Sequence, residues 1–302
     1  MSAGGSYLVS GNLVAVITAV RDGVPFVLTT GGGTTLPAGP LQRSHRSMQE
    51  GMRAWVLRQT GCELGYIEQL YTFADRNRGA GPALEVSYLG LTTMQPGAEA
   101  WLSWYEFFPW EDRRDGTVVV DEIIAPALQD WVASAGHDAA AQEHRRSRCE
   151  AAFGLAGRPW HPDMTLARYE LLYEAGLIPE AESPAEAASL VPGRPMTPHH
   201  RRILASGIAR LRSKIQYQPV IFELLPKTFT LTGLQTAVEA IAGQELHTQN
   251  FRRLVAQQQL VEDSGQVASS TGGRPAKLVR FRRSVLDERA AAGTKLPIPR
   301  VK

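Results

Sequence analysis

The stretch TFTLTGLQTAVEAIAGQELHTQNFRRLVAQQQLVEDSGQVASSTGGRPAKLVRFRR, residues 228–283, decides how the rest of the chain is read. Its first part reads as a helix, opened by a hydroxyl cap at Thr230 or Thr232 and closed by Gly243. A short turn, QELHT, leads into a second helical pattern in which Phe251, Leu254, Val255 and Leu260 pack inward. Gln249, Asn250, Arg252, Arg253 and Gln257 lie largely outside that apolar stripe. VEDSGQ and AKLVRFRR then read as two strands joined by VASSTGGRP. The order is helix, turn, helix, hairpin.

That order resembles a winged helix-turn-helix, whose second helix enters the major groove, about 12 Å wide, with its N-terminal residues on base edges. Here those residues are Thr248, Gln249, Asn250, Arg252 and Arg253. Arg can fork onto guanine and Asn or Gln onto adenine, while Thr and a helix N-terminus suit a phosphate. The wing tip, Gly272 to Lys277, sets Arg274 between glycines and a proline, a loop able to lay a guanidinium in a narrow minor groove beside Lys277. A charged surface hairpin is the plainer reading of that tip. Together the two features point to double-stranded DNA.

Working upstream, HHRRILASGIARLRSKI places Ile203, Leu204, Ile208, Leu211 and Ile215 on one helical face and arginines on the other. PEAESPAEAASLVPGRPMTP has Pro, Ser and Glu without periodicity and reads as a linker. Charge changes sign across it. Residues 1–195 hold 15 Lys and Arg against 23 Asp and Glu, whereas residues 196–302 hold 17 against 7. A basic module joined to an acidic one is the footprint of a nucleic-acid binder carrying a second module. The alternative is a basic face that pairs with the acidic half or is simply solvated. At roughly 150 residues per domain, 302 residues suit two domains. The expected division is 1–180, a linker at 181–198, and 199–302.

In the first half, apolar runs between Leu13 and Thr30 flank Arg21-Asp22-Gly23 and read as a β-hairpin. GGGTTLPAGP, residues 31–40, reads as a loop. Met48, Met52, Trp55, Val56 and Gln59 then fall at helical spacing, and Gly61 ends the pattern. Leu64–Phe73 and Leu84–Thr92 read as strands with DRNRGAG between them. WLSWYEFFPW, residues 101–110, carries six aromatics, which suit core or interface filling, or a stacking wall for a purine. Three amphipathic helical patterns follow between Asp121 and Gly176.

LPAG, a helix, and RQTGC about twenty residues later resemble the frame of a Nudix box, in which acidic residues on one helical face hold magnesium against a pyrophosphate. Aligned on Gly61, the positions for Arg-Glu and Glu-Glu hold Ala54 and Trp55, then Arg58 and Gln59, and Arg46 stands at the early Glu. Aligned on Gly39, Arg53 returns, but Ala54, Leu57 and Arg58 occupy the acidic positions. Magnesium needs carboxylate oxygens, and neither register supplies them; Arg and Gln offer donors to a phosphate instead.

The chain thus resembles the Nudix-related transcriptional regulators of NAD metabolism. HRRILASGIARLRSKIQYQPVIFELLP, FTLTGLQTAVEAIAG, NFRR and GRPAKLVRF carry the likeness over about eighty-five residues, and QLYTFADRNRG through VSYLGL, residues 69–91, extends it. Residues 97–195 are longer and more helical than that pattern. The resemblance implies an α/β (α+β) fold, a Nudix-like mixed sheet with helices followed by a winged helix-turn-helix. It implies a catalytically decayed sensor for a nucleotide, ADP-ribose or an NAD-related one, and a homodimeric repressor of NAD-biosynthesis or related genes. Candidate effector contacts are Arg43, Arg46 and Arg58 around the decayed box and Tyr71, Phe73, Asp75, Arg76 and Arg78 on the strand and loop after it.

No cofactor, metal site or catalytic residue is expected. The seven histidines show no H-x-x-x-H or cysteine pairing, and neither a G-x-S-x-G elbow nor a Walker loop occurs. Two rivals remain: a divergent Nudix pyrophosphatase using Glu50, Glu63, Glu68 or Asp75, and a constitutive DNA-binding dimer without effector. Two cysteines and the lack of a basic, unbroken apolar leader make a cytoplasmic protein without membrane span the expectation.

Overall fold

The computed structural model describes residues 10–77, 81–94, 100–197, 199–268 and 276–284. Its first body is a mixed sheet in the order β4-β5-β1-β2-β6, with β3 beside β1. β1 (Ser10–Arg21) and β2 (Val24–Leu28) form the expected hairpin. Asp22 and Gly23 both take positive φ, the turn whose twist matches the flanking strands. The expected 31–40 loop in fact contains a 3-10 turn at Gly31–Gly33 and a short strand, β3 (Ala38–Pro40), laid antiparallel on β1.

α1 (Met48–Thr60) is capped by Ser47, which accepts from the Glu50 N–H, and ends at left-handed Gly61. β4 (Tyr66–Asn77) and β5 (Gly81–Leu91) run further into the DRNRGAG segment than expected, because the antiparallel register continues through Asp75↔Ala83 to Asn77↔Gly81. β5 pairs parallel with β1, which makes the sheet mixed. β6 (Trp101–Ser103) closes the other edge.

Alternation along β1 builds a core on each face. Leu13, Ala15 and Ile17 bury against Met52 and Val56 of α1. Val14 and Val16 turn the other way, toward Ile203, Leu204 and Ile208 of α6 (His200–Lys214). α6 seats directly on β1 because Gly207 faces Val16; a Cβ there would fall 2.7 Å from Val16 Cγ1. Between them come α2 (Trp104–Phe107), a π-helical turn (Val119–Ile124) running into α3 (Ala125–Ala133), α4 (Ala139–Phe153) and α5 (Thr165–Glu174). Trp104, Phe107, Phe108 and Trp110 are fully buried, so this part of the aromatic run is core and not a stacking wall.

The stretch read as a linker is packed. Ala181, Ala188, Val191 and Met196 are buried, and the Arg194 and Thr197 N–H groups donate to Glu106 O and Thr34 O. Its apolar residues meet the body singly, so they leave no periodic pattern. The second body holds α7 (Leu231–Ala242), α8 (Thr248–Gln257), β7 (Val261–Val267) and β8 (Lys277–Phe281). Phe229 adds a bridge to Val279, and Phe222 stacks on Phe281 at 4.2 Å. One apolar core runs without a break from Val14 to Leu260. Among the described residues no helix is long and apolar enough to cross a membrane.

Candidate nucleic-acid interface

The turn between α7 and α8 is set by two polar side chains on α7. Gln235 Nε2 donates to Glu239 Oε1 (2.8 Å), to Leu246 O (3.0 Å) and to Thr248 Oγ1 (3.2 Å), while Glu239 Oε1 also accepts the Leu246 N–H (3.0 Å). Gln235 is buried, so these bonds form where water competes little. α7 itself is capped by Thr230, whose Oγ1 accepts from Gly233 N at 2.9 Å, and ends at left-handed Gly243. Thr230, and not Thr232, is therefore the cap.

Phe251 and Val255 anchor α8 to the core. That leaves Thr248, Gln249, Asn250, Arg252 and Arg253 exposed on its outer side. Neither arginine has a carboxylate partner among the described residues; Arg252 Nη2 lies 3.5 Å from Thr232 Oγ1, its polar neighbour on α7. Lys277 is exposed at the start of β8, and Arg274 lies outside the described residues. Thr232 was not singled out from the sequence, where it registered only as a possible cap. Gln235 was missed too; its signal is a polar residue next to the apolar Leu234, on a helix buried on that side.

The cations on the back of α6 pair with carboxylates of the acidic half. Arg201 is buried and reaches Glu180 (3.1 Å), and Arg202 pairs with Glu170 (2.7 Å). Arg210 and Lys214 share Glu68. Although burial pushes its pKa up, hydrogen bonds from Lys214, Tyr66 and Arg210 draw Glu68 down to about 2. Arg212 is buried on Glu111, which Arg168 also holds at 2.6 Å. Desolvation opposes the charge on Glu111, yet the two guanidiniums keep its carboxyl below the usual range. His200 Nδ1 accepts the Leu36 N–H (2.9 Å), an acceptor role that gives this histidine a structural use.

The candidate effector residues fall into two groups. Arg43 and Arg46 are exposed ahead of α1, and Arg58 is exposed with its guanidinium 4.5 Å from the Trp55 ring centre. Phe73 packs on the opposite face of the sheet, under Arg202 of α6 at 5.1 Å, and half-exposed Tyr71 stands 6.2 Å from it. The structure therefore does not bring Phe73 into one pocket with the α1 arginines. The backbones of Asp75 and Arg76 lie on β4, opposite Ala83 and Pro82, but their side chains, like all of Arg78, lie outside the described residues.

At the box itself, Trp55 lies over Gly39, where a Cβ would come within 2.2 Å of the indole, and its Nε1 donates to Pro40 O (3.0 Å). Gln59 pairs with both backbone groups of Ala38, and Arg53 donates to Gly65 O (3.0 Å). Glu50 accepts the Arg46 N–H (3.0 Å), and Glu68 faces α6. No group of three or more His, Cys, Asp or Glu side chains placed to hold a metal occurs among the described residues.

Residues 221–281 match the family model described as the NrtR DNA-binding winged helix domain. The ADPR responsive transcriptional repressor NtrR of Acinetobacter baylyi is 39% identical over 82 residues, covering 27% of this chain and 32% of that protein. The chain thus aligns with about a third of the length of that relative. Among solved structures, Shewanella oneidensis NrtR complexed with a 27mer DNA superposes with a TM-score of 0.52 at 19% identity, over 91% of this chain and 95% of that one. A MutT/nudix family protein from Enterococcus faecalis superposes with a TM-score of 0.53 at 16% identity, over 93% and 90%. The fold is accordingly α/β, a Nudix-type sheet domain continued by a winged helix.

Proposed function

We propose that this protein is a ligand-responsive transcriptional repressor that binds an operator as a homodimer through its winged helix. The observation that carries this reading is α8: it presents Thr248, Gln249, Asn250, Arg252 and Arg253 to solvent, with both guanidiniums free of carboxylates among the described residues. A surface that keeps two unneutralised arginines beside two amide side chains has the donors and acceptors that base edges and phosphates require. Lys277, exposed at the start of β8, offers charge to the phosphate backbone; Arg274, outside the described residues, is the second candidate for that contact. Domain limits of 1–180 and 199–302 describe this division of labour, with 181–198 as the connector.

The sheet domain is the sensor in this reading, and its effector is a nucleotide carrying a pyrophosphate, ADP-ribose or an NAD-related one. The exposed Arg43, Arg46 and Arg58 offer donors on the α1 side and the half-exposed Tyr71 offers a ring on β4; Arg76 and Arg78 are further candidates by their place in the sequence. The sensor is not a hydrolase. Trp55, Arg58 and Gln59 stand where magnesium-binding carboxylates would be needed, and two of them are already committed to packing on Gly39 and bonding Ala38.

Calorimetric titration of ADP-ribose into the free protein and into its complex with a selected duplex tests both parts. Linkage requires the ligand and the DNA to change each other's affinity by one common factor, typically about 1 to 3 kcal/mol. Equal affinities would remove the regulatory role. Turnover of ADP-ribose with magnesium, abolished by Glu50→Gln or Glu63→Gln, would restore the pyrophosphatase.

A further inference from the structure

The last turn of α7 ends inside the sheet domain. A helix C-terminus leaves carbonyls without intrahelical partners, and these collect partial negative charge. Here Ala240 O accepts from Tyr105 Oη (2.7 Å), Ile241 O from Arg212 Nε (2.8 Å) and Gly243 O from the Arg113 N–H (2.9 Å). All three donors come from outside the segment matched as a winged helix, residues 221–281. Gly243 fits only because it lacks a side chain: a Cβ would fall 2.1 Å from Glu111 O.

The charges around this joint need the helix end. One carboxylate, Glu111, faces two guanidiniums, Arg168 and Arg212, and all three are fully buried. The surplus positive charge is met by carbonyl oxygens, among them Ile241 O at the end of α7. A second contact pins the middle of α7. Arg114, paired with Asp112 at 2.7 Å, donates to Gly23 O (2.7 Å), and a Cβ on Gly23 would sit 2.9 Å from Thr236 Cγ2 on α7. Gly243 leads straight into the turn that Gln235 and Glu239 lock onto α8.

We infer that Tyr105 and Arg212 are positioning residues that weld the helix-turn-helix to the sheet domain, so that α8 is held at one angle to the sensor instead of swinging on a tether. Residues 104–114, part of the stretch that departs from the family pattern, are then the route by which a change in the sensor reaches the DNA-reading helix. The consequence for DNA rests on the operator-binding role proposed above; the rigidity does not.

The test uses the full-length chain with spin labels at Leu57→Cys on α1 and Gln257→Cys on α8, both exposed. The native Cys62 and Cys149 are buried, with thiols pushed up by desolvation, and stay unlabelled. With the labelled chain diluted into excess unlabelled chain, so that only distances within one protomer are read, pulsed dipolar spectroscopy should give one narrow distance in the otherwise wild-type protein and a broadened distribution in Tyr105→Phe and Arg212→Met. Without labels, both variants should lose roughly tenfold or more in affinity for a duplex selected by the wild-type protein, while a random duplex binds as before. Tyr105→Phe deletes one oxygen and carries the test if Arg212→Met fails to fold. A broad distance in the wild type, or variants that melt earlier yet keep the narrow distance and full duplex affinity, would overturn the weld. A wild type that selects no duplex would instead sink the operator role, and the distances would still decide the joint.

Discussion

α6 and α8 are both arginine-bearing amphipathic helices of the same basic half, and they use their cations in opposite ways. Every cation of α6 from Arg201 to Lys214 meets a carboxylate of the first 195 residues. Arg252 and Arg253 of α8 meet none among the described residues and face water. The charge imbalance between the halves therefore has two origins. Part of it is internal, five cations that fasten α6 to the acidic domain, and only the remainder is available to an outside anion. Net charge per segment reports the sum and is silent about this split.

The largest effect should come from breaking the buried side of that comparison. Glu111→Leu strands Arg168 and Arg212 without a counter-charge, and the expected loss is about 3 to 5 kcal/mol of unfolding free energy by urea denaturation. A neutral result would mean that carbonyls alone satisfy both guanidiniums. On the exposed side, Arg252→Ala and Arg253→Ala should leave stability within about 0.5 kcal/mol. In competition binding, each should cost about 1 to 3 kcal/mol of operator affinity and relax sequence preference at one position. Unchanged affinity with lowered stability would make α8 a second α6.

Lys277→Ala should act more evenly, weakening selected and random duplexes alike and reducing the salt slope of binding by about one. A sequence-selective effect would move Lys277 from the phosphate to a base. The smallest effect concerns the start of α6. Desolvation, helped by His199, lowers the pKa of His200, so the unfolded chain takes up the proton first as pH falls. Folding stability should therefore decline from pH 7 toward 5, level off once the folded imidazole also protonates, and decline less in His200→Gln. Melting temperatures across that range measure it, and identical curves for the two proteins would show that protonation of His200 is not coupled to folding.

How legible each helix was follows from where its partners lie. α8 could be read because its apolar stripe, its exposed polar residues and the flanking turns are all local in sequence, and Thr230, Gly243 and Gly61 punctuate their helices by backbone rules that need no tertiary partner. The β1–β2 hairpin was legible for the same reason. β3 was not: Ala-Gly-Pro has no strand propensity, and its three residues are extended because β1 offers an edge and Trp55 needs Gly39 beneath it.

The candidate effector set shows the opposite case, residues chosen by chain position that lie on different sides of one sheet. A bulge between Gln69 and Thr72 shifts the register of β4, and α6 then covers Phe73. Sequence spacing carries no information about which face a later helix will occupy.

By itself the sequence determined the β1–β2 hairpin, the glycine ends of α1 and α7 and the order helix-turn-helix-wing, because each rests on residues within a few turns of one another. Tertiary structure alone decided that the 179–197 stretch is packed, that Glu111 gathers Arg168 and Arg212 from 57 and 101 residues away, and that α7 ends on Tyr105 and Arg212. A buried charge has no local signature. Its cost is met only by partners that the fold brings within hydrogen-bonding reach, so the sequence shows the arginines and the structure shows what they hold.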